Sequence, residues 1–259
     1  MPRTAFDPRV HGFAFGNRWT FDEVERHRLH RQFAAHLVQR GLLGPISSSL
    51  VPLGVRALRS RLESHLAPGY GLCGGMCFAA LDFYKAGLPL PRGDGPGGQP
   101  APGTSLRDYI WQRQLDSLVS DAARFMAWLI ALNYVPPSRP FRGGATRLLA
   151  WSRQEWDRLK AGVDAGEPVP IGLVRDTRNV YDNHQVLAIG YEEPVGNHGT
   201  VYLYDPNCPD RDATLRFEFG ERLLDGRESC GVETSLRGLF CEAYTPRDPG
   251  EVLGGTQVW

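Results

Sequence analysis

Apolar residues recur at roughly helical spacing through the first part of the chain. Phe21, Val24, Leu29, Phe33, Leu37 and Val38 predict a helix over Phe21 to Gly41, with Gly41 as its stop. Ile110, Leu115, Leu118, Phe125, Trp128, Leu129 and Leu132 predict one or two helices within Leu106 to Tyr134, ending before Pro136-Pro137. Ser152 and Glu155 have the spacing of a capping box, so a further helix is expected over Gln154 to Val163, ended by Gly166. Between the helices, Pro89 to Gly103 holds five prolines and five glycines and reads as a loop.

After Pro168 the period shortens. Val169 to Val174, Gln185 to Tyr191, Thr200 to Tyr204 and Thr214 to Phe219 are short β-branched or aromatic runs separated by turn residues, which predicts strands. Two of them flank Val195-Gly196-Asn197-His198-Gly199, a segment suited to an antiparallel hairpin. Helices followed by strands indicate an α+β protein, with a mainly helical lobe over 1–166 and a mainly β lobe with an antiparallel sheet over 167–259.

Composition narrows the function classes. Twenty-nine basic residues balance 29 acidic ones in 259, so there is no bulk attraction to nucleic acid or to an anionic membrane. Only Lys85 and Lys160 are lysines, which reads as the arginine bias of a GC-rich genome. The longest apolar run, Phe125 to Val135, is shorter than the roughly 20 residues that span a bilayer. The N-terminus has no apolar signal region, and a cytoplasmic protein is expected. Trp111, Trp128, Trp151 and Trp156 are assigned to core packing, and no phosphate-binding glycine loop is present. Five cysteines, Cys73, Cys77, Cys208, Cys230 and Cys241, are an odd number in a chain able to build its own core. Free thiols are therefore expected rather than a disulfide scaffold.

The segment from Gly69 to Tyr84 starts with glycines and turns into a helix-compatible apolar run that stops at Gly87. A cysteine at that junction, Cys73, meets the unpaired N–H groups and positive dipole end of a helix, which favour a thiolate and can hold a developing oxyanion. Gly74 and Gly75 disfavour a helix and would let a substrate backbone approach closely. A thiolate nucleophile needs a proton acceptor, and among seven histidines His184 stands out because it opens a probable core strand, Val186 to Tyr191. His11, His27, His30, His36, His65 and His198 fit structural or solvated roles. Asp205 and Asn207 close the next strand in Tyr204-Asp205-Pro206-Asn207, where a hairpin would return them towards His184 and either could orient the imidazole. Zinc held by Cys73, Cys77, His184 and Asp205 is disfavoured, because a second close ligand pair is missing. No metal or cofactor is assigned.

The order Cys, His, Asp in these contexts resembles the papain-like cysteine peptidase superfamily, and most closely its bacteriocin-processing bacterial type. The resemblance rests on Leu72-Cys73-Gly74-Gly75-Met76, on Asn183-His184-Gln185 through Tyr191, and on Tyr204-Asp205-Pro206-Asn207, within about residues 68–88 and 168–209. It implies a papain-like fold with Cys73 as nucleophile, His184 as general base and acid, and Asp205 as the orienting residue. Such a protein would be a peptidase or amidase acting on a peptide or another amide or ester. The pattern departs in two places: Cys77 stands as a second candidate thiol one turn after Cys73, and His65 to Tyr70 contains no glutamine to help form the oxyanion hole. Asn17 is the suggested substitute, beside backbone donors at Gly74 and a contribution from Asn207. The same departure motivates a second reading, an inactive papain-like fold serving as a binding or scaffolding module. Cys77, one turn beyond Cys73, is expected to point into the packing face.

Overall fold

The computed structural model describes residues 1–39, 71–93, 95–134, 144–177, 183–230 and 235–254. Its helices are α1 (Pro8–His11), α2 (Glu23–Gln39), α3 (Cys73–Ala86), α4 (Ser105–Tyr134), α5 (Gly144–Asp164) and α6 (Gly250–Gly254). The strands are β1 (Val169–Arg175), β2 (His184–Val195), β3 (His198–Tyr204), β4 (Ala213–Phe219), β5 (Leu224–Glu228) and β6 (Leu236–Cys241). The α+β class holds. None of the described helices is long and apolar enough to cross a membrane.

Two compact units are present, and they do not divide at residue 166. Met1–Gly16 and Cys73–Trp259 form one unit, and Asn17–Leu72 the other. In the smaller unit Asp22 caps α2, its carboxylate accepting the Glu25 N–H at 2.7 Å. The expected stop at Gly41 lies outside the described residues, as does Pro136-Pro137 beyond α4.

In the larger unit the strands do not remain an open sheet. They pair antiparallel in chain order and β6 returns to β1, closing a six-stranded barrel. Ile171 and Leu173 of β1 lie opposite Val186 and His184 of β2, and on their other side opposite Cys241 and Leu239 of β6. Ile171, Leu173, Val186, Ala188, Val201, Leu203, Leu215 and Leu239 are fully buried and fill the barrel core, to which α5 adds Trp156 and Leu159. The turn between β2 and β3 uses Gly196 at φ 62°, a backbone conformation that favours glycine.

α5 begins at Gly144, so Ser152 and Glu155 lie inside the helix and are not a capping box. Their side chains instead hold β6: Ser152 Oγ accepts the Leu239 N–H at 3.2 Å, and Glu155 Oε2 accepts the Cys241 N–H at 2.9 Å. The N-terminal segment is bonded to the barrel at Gly190, where the Thr4 N–H donates to the Ile189 carbonyl and the Tyr191 N–H to that of Pro2. Phe6 packs there against the rings of His11, Tyr84 and Tyr204.

Candidate active site

Cys73 is the first residue of α3 and is half-buried. The first N–H groups of a helix have no partner within it. One of them, on Gly75, is taken by the Gln114 side-chain oxygen of α4 at 2.8 Å. The two glycines are explained by packing: a Cβ on Gly75 would lie 2.1 Å from the Ile110 carbonyl oxygen, and one on Gly74 2.0 Å from Gln185 Oε1 and 2.3 Å from Ser117 Oγ. α3 therefore needs glycine to approach α4 and β2 closely, whatever binds at Cys73.

Cys77 is fully buried one turn further on, and its thiol faces the Gln185 carbonyl at 3.5 Å. Burial pushes its pKa well above the usual thiol value, and the negative charges of Cys73, Glu242 and Asp205 add to the rise. Cys77 is thus held as a neutral thiol, unsuited to nucleophilic attack.

His184 begins β2 and Asp205 follows the end of β3. The hairpin register pairs Leu187 with Tyr204, which brings the two residues to the same end of the barrel. His184 Nε2 lies 2.7 Å from Asp205 Oδ1, and both side chains are buried. Burial alone would lower the imidazole pKa. The charge and hydrogen bond of Asp205 oppose it, with a smaller contribution from Cys73, and the net shift carries the imidazole well above the ordinary histidine value. The imidazolium form is therefore favoured beside Cys73, the state a thiolate partner requires.

Asn207 completes this end of the cluster. Its backbone N–H donates to Asp205 Oδ1 at 2.8 Å, and its side-chain Nδ2 stands 3.1 Å from His184 Nε2. With the Nε2 proton donated to Asp205, Nε2 has no lone pair for Asn207 Nδ2, so this approach is a polar contact rather than a hydrogen bond. Asp205 Oδ2 is buried with no hydrogen-bond partner among the described residues. Of the sequence-predicted site residues, His184, Asp205 and Asn207 thus meet in space, and Cys73 opens α3 against Gln185, the residue after His184.

Several neighbours of the site carry no short motif. Gln185 faces the other side of β2 from His184, as the strand period requires. Its Oε1 lies 3.9 Å from Cys73 Sγ and 3.4 Å from both Gln114 Nε2 and Ser117 Oγ, while its Nε2 donates to Glu242. On the His184 side, Arg175 at the end of β1 forms a buried pair with Glu228 at the end of β5, 2.5 Å at the closer contact. Apolar neighbours of Gln185 and the barrel positions of Arg175 and Glu228 were the available signals, and neither is readable without the strand pairing.

The remaining assignments fall as follows. Asn17 lies in the smaller unit, where its Oδ1 accepts the Leu72 N–H at 2.6 Å and the Trp19 indole N–H at 3.1 Å. His11 accepts the Asp7 N–H at 2.9 Å, a structural role as expected. The expectation of free thiols is corrected for two of the five: Cys208 and Cys230 form a disulfide, while Cys73, Cys77 and Cys241 are free. Among the described residues, His184, Asp205 and Glu228 have ligand atoms within 4.8 Å of one another. They are a poor cation site, because Glu228 is bidentate to Arg175 and His184 Nε2 faces Asp205. Comparison of the chain with family models, curated proteins and solved structures finds no match.

Proposed function

We propose that the protein is a cysteine-dependent hydrolase, a peptidase or amidase of papain-like type resembling the bacteriocin-processing peptidases, working through Cys73, His184 and Asp205. The observation that carries this reading is a buried carboxylate 2.7 Å from His184 Nε2, at the start of a strand whose next residue, Gln185, lies against the thiol that opens α3. The helical segments and the barrel would correspond to the two lobes of that fold. The substrate is a peptide or another amide or ester, no nucleic acid or membrane takes part, and the working compartment is the cytoplasm.

The chemistry follows from the geometry. With Nε2 committed to Asp205, the proton exchanged with Cys73 would be the one at Nδ1. The Cys73 thiolate would attack the carbonyl carbon, and the negative oxygen would be held by N–H groups at the start of α3, those of Cys73 and Gly74, with the helix dipole behind them. As the tetrahedral intermediate collapses, His184 would give its Nδ1 proton to the leaving amine or alcohol, leaving a thioester on Cys73. Water would then lose a proton to His184 and release the acid. Asp205 would fix the tautomer and orientation throughout, assisted by Asn207.

Exposure to a set of peptidyl p-nitrophenyl esters and thioesters, followed by intact-mass analysis, tests the reading. An acyl adduct mapped to Cys73, absent in Cys73→Ser and turned over in the wild type, is the expected result. Tight binding of the same compounds with no adduct and no release of product would favour the binding module instead.

A further inference from the structure

The turn that carries Asp205 and Asn207 is covalently tied. Cys208, the next residue, is buried and bonded to Cys230, which lies two residues beyond Glu228 at the end of β5. In the strand order β3, β4, β5 this bridge passes over the intervening β4 and joins the ends of its two neighbours. Between Asp205 and Cys208 the turn is compact: the Cys208 N–H donates to the Asp205 carbonyl at 2.8 Å, and the Asn207 N–H to Asp205 Oδ1 at the same distance. Asp205 Oδ1 and Asn207 Nδ2, the two polar atoms placed against His184 Nε2 among the described residues, thus come from a turn whose far end is bonded by the bridge.

We infer that the Cys208–Cys230 disulfide is a positioning clamp on the His184-orienting turn, so that the redox state of the bridge sets the activation of Cys73. The inference rests on the Cys–His reading above and adds its regulation. Three observations support it. The bridge begins one residue from Asn207. Asp205 is fully buried with one oxygen unpartnered among the described residues, so few other bonds restrain its carboxylate. Cys230 is only partly buried whereas Cys208 is buried, which makes Cys230 the more accessible end of the bridge.

Opening the bridge is an ordinary thiol–disulfide exchange with a dithiol reductant. A thiolate of the reductant attacks Cys230 Sγ, the protein S–S bond breaks, and Cys208 leaves as a thiolate that takes a proton from solvent. The second thiol of the reductant displaces Cys230 from the mixed disulfide. Two protein thiols and one oxidised dithiol result. Such bridges persist in oxidising compartments and open in reducing ones, so the cytoplasm proposed above would hold the turn loose until a low-molecular-weight disulfide closes it by the reverse exchange, itself reduced to two thiols.

The charged and titratable groups around His184 are Asp205, Glu228 and Arg175 at the barrel end and Cys73 at α3, with Cys77 and Glu242 beyond the thiol. Reduction changes none of these charges but adds the Cys208 and Cys230 thiols, with Arg211 3.1 Å from Cys208 Sγ, and the Cys208→Ser/Cys230→Ser variant, which lacks those thiols, separates their charge from position. The test uses the full chain in three forms: oxidised, reduced with dithiothreitol and desalted under argon, and Cys208→Ser/Cys230→Ser. The rate of Cys73 alkylation by limiting iodoacetamide is measured by peptide mapping from pH 5 to 9. Reduced protein and double variant should both label Cys73 about tenfold more slowly at pH 6, equivalent to a midpoint about one unit higher, and the double variant should not respond to the reductant. A bridge that only supports the fold would lower the melting temperature and leave that midpoint in place, which overturns the proposal. Should the double variant fail to fold, the reduced wild type gives the same decision. If oxidised wild type labels no faster than His184→Ala, the Cys–His pair itself is wrong and the clamp falls with it, a pattern distinct from an activated Cys73 indifferent to reduction.

Discussion

The two ends of α3 each meet a buried carboxylate, and the two are treated in opposite ways. At the C-terminal end Asp82 is saturated: Arg113 pairs with it at 2.7 Å, the hydroxyls of Tyr109 and Tyr244 donate at 2.8 and 2.6 Å, and the Arg247 N–H donates at 3.0 Å. Burial raises its pKa and the Arg113 charge and these hydrogen bonds oppose the rise. At the N-terminal end Asp205 has an imidazole, one backbone N–H and an oxygen with no partner among the described residues. A carboxylate that ties α3 and α4 to the 244–247 segment uses all its lone pairs. Asp205 instead has its bonding centred on the imidazole, and its unpartnered buried oxygen costs stability.

That contrast can be broken from either side, and the largest effect is expected at His184. His184→Ala should lower acyl transfer by about 10²–10⁴-fold, the range for loss of a general acid–base, with the fold intact by circular dichroism. Asp205→Asn should come next, reducing kcat by about 10²-fold or more through the wrong tautomer, with a modest change in melting temperature. Asp82→Ala should invert the pattern. Breaking a buried ion pair costs about 3–5 kcal/mol, measurable by urea unfolding, while the folded fraction should label Cys73 at the wild-type rate. Cys77→Ala should cost only about 1 kcal/mol and leave the labelling profile unchanged.

The raised pKa of His184 also gives a pH dependence of stability. Its folded-state value lies above the unfolded one, so the stabilisation by Asp205 and Cys73 is complete below the unfolded value of about 6.5 and is lost as pH rises through the folded value. The stability difference between wild type and His184→Ala should accordingly shrink on the alkaline side. A difference that grows with pH would mean that His184 is buried neutral.

Much of the site is local in sequence, and that part was legible. Cys73 at a glycine-rich helix start, His184 at a strand start and Asp205 at a strand end each leave a signature within a few residues. The four strands from β1 to β4 show the same property, since their apolar residues dominate short runs. β5 and β6 did not register, because Leu224-Asp225-Gly226-Arg227-Glu228 is mostly charged and Gly238 interrupts Leu236 to Cys241. The structure supplies the reasons: a Cβ on Gly226 would lie 2.8 Å from that of Phe217, and one on Gly238 2.8 Å from the Trp128 ring. Those glycines answer to residues far away in sequence. Barrel closure, the Cys208–Cys230 bridge and the placement of Gln185 against Glu242 are long-range in the same way. Ser152 and Glu155 show the opposite failure, a correct local spacing used inside a helix to hold β6 rather than at its start.

The central claim is that His184 activates Cys73, and alkylation of the oxidised wild-type protein tests it most directly. Limiting iodoacetamide is applied across a pH series with site mapping by mass spectrometry, in parallel with His184→Ala. Selective labelling of Cys73 well below the free-thiol pKa of about 8.5, moved upward in the variant, is the predicted result. An ordinary thiol profile, the same in both proteins and shared with Cys241, would contradict the account.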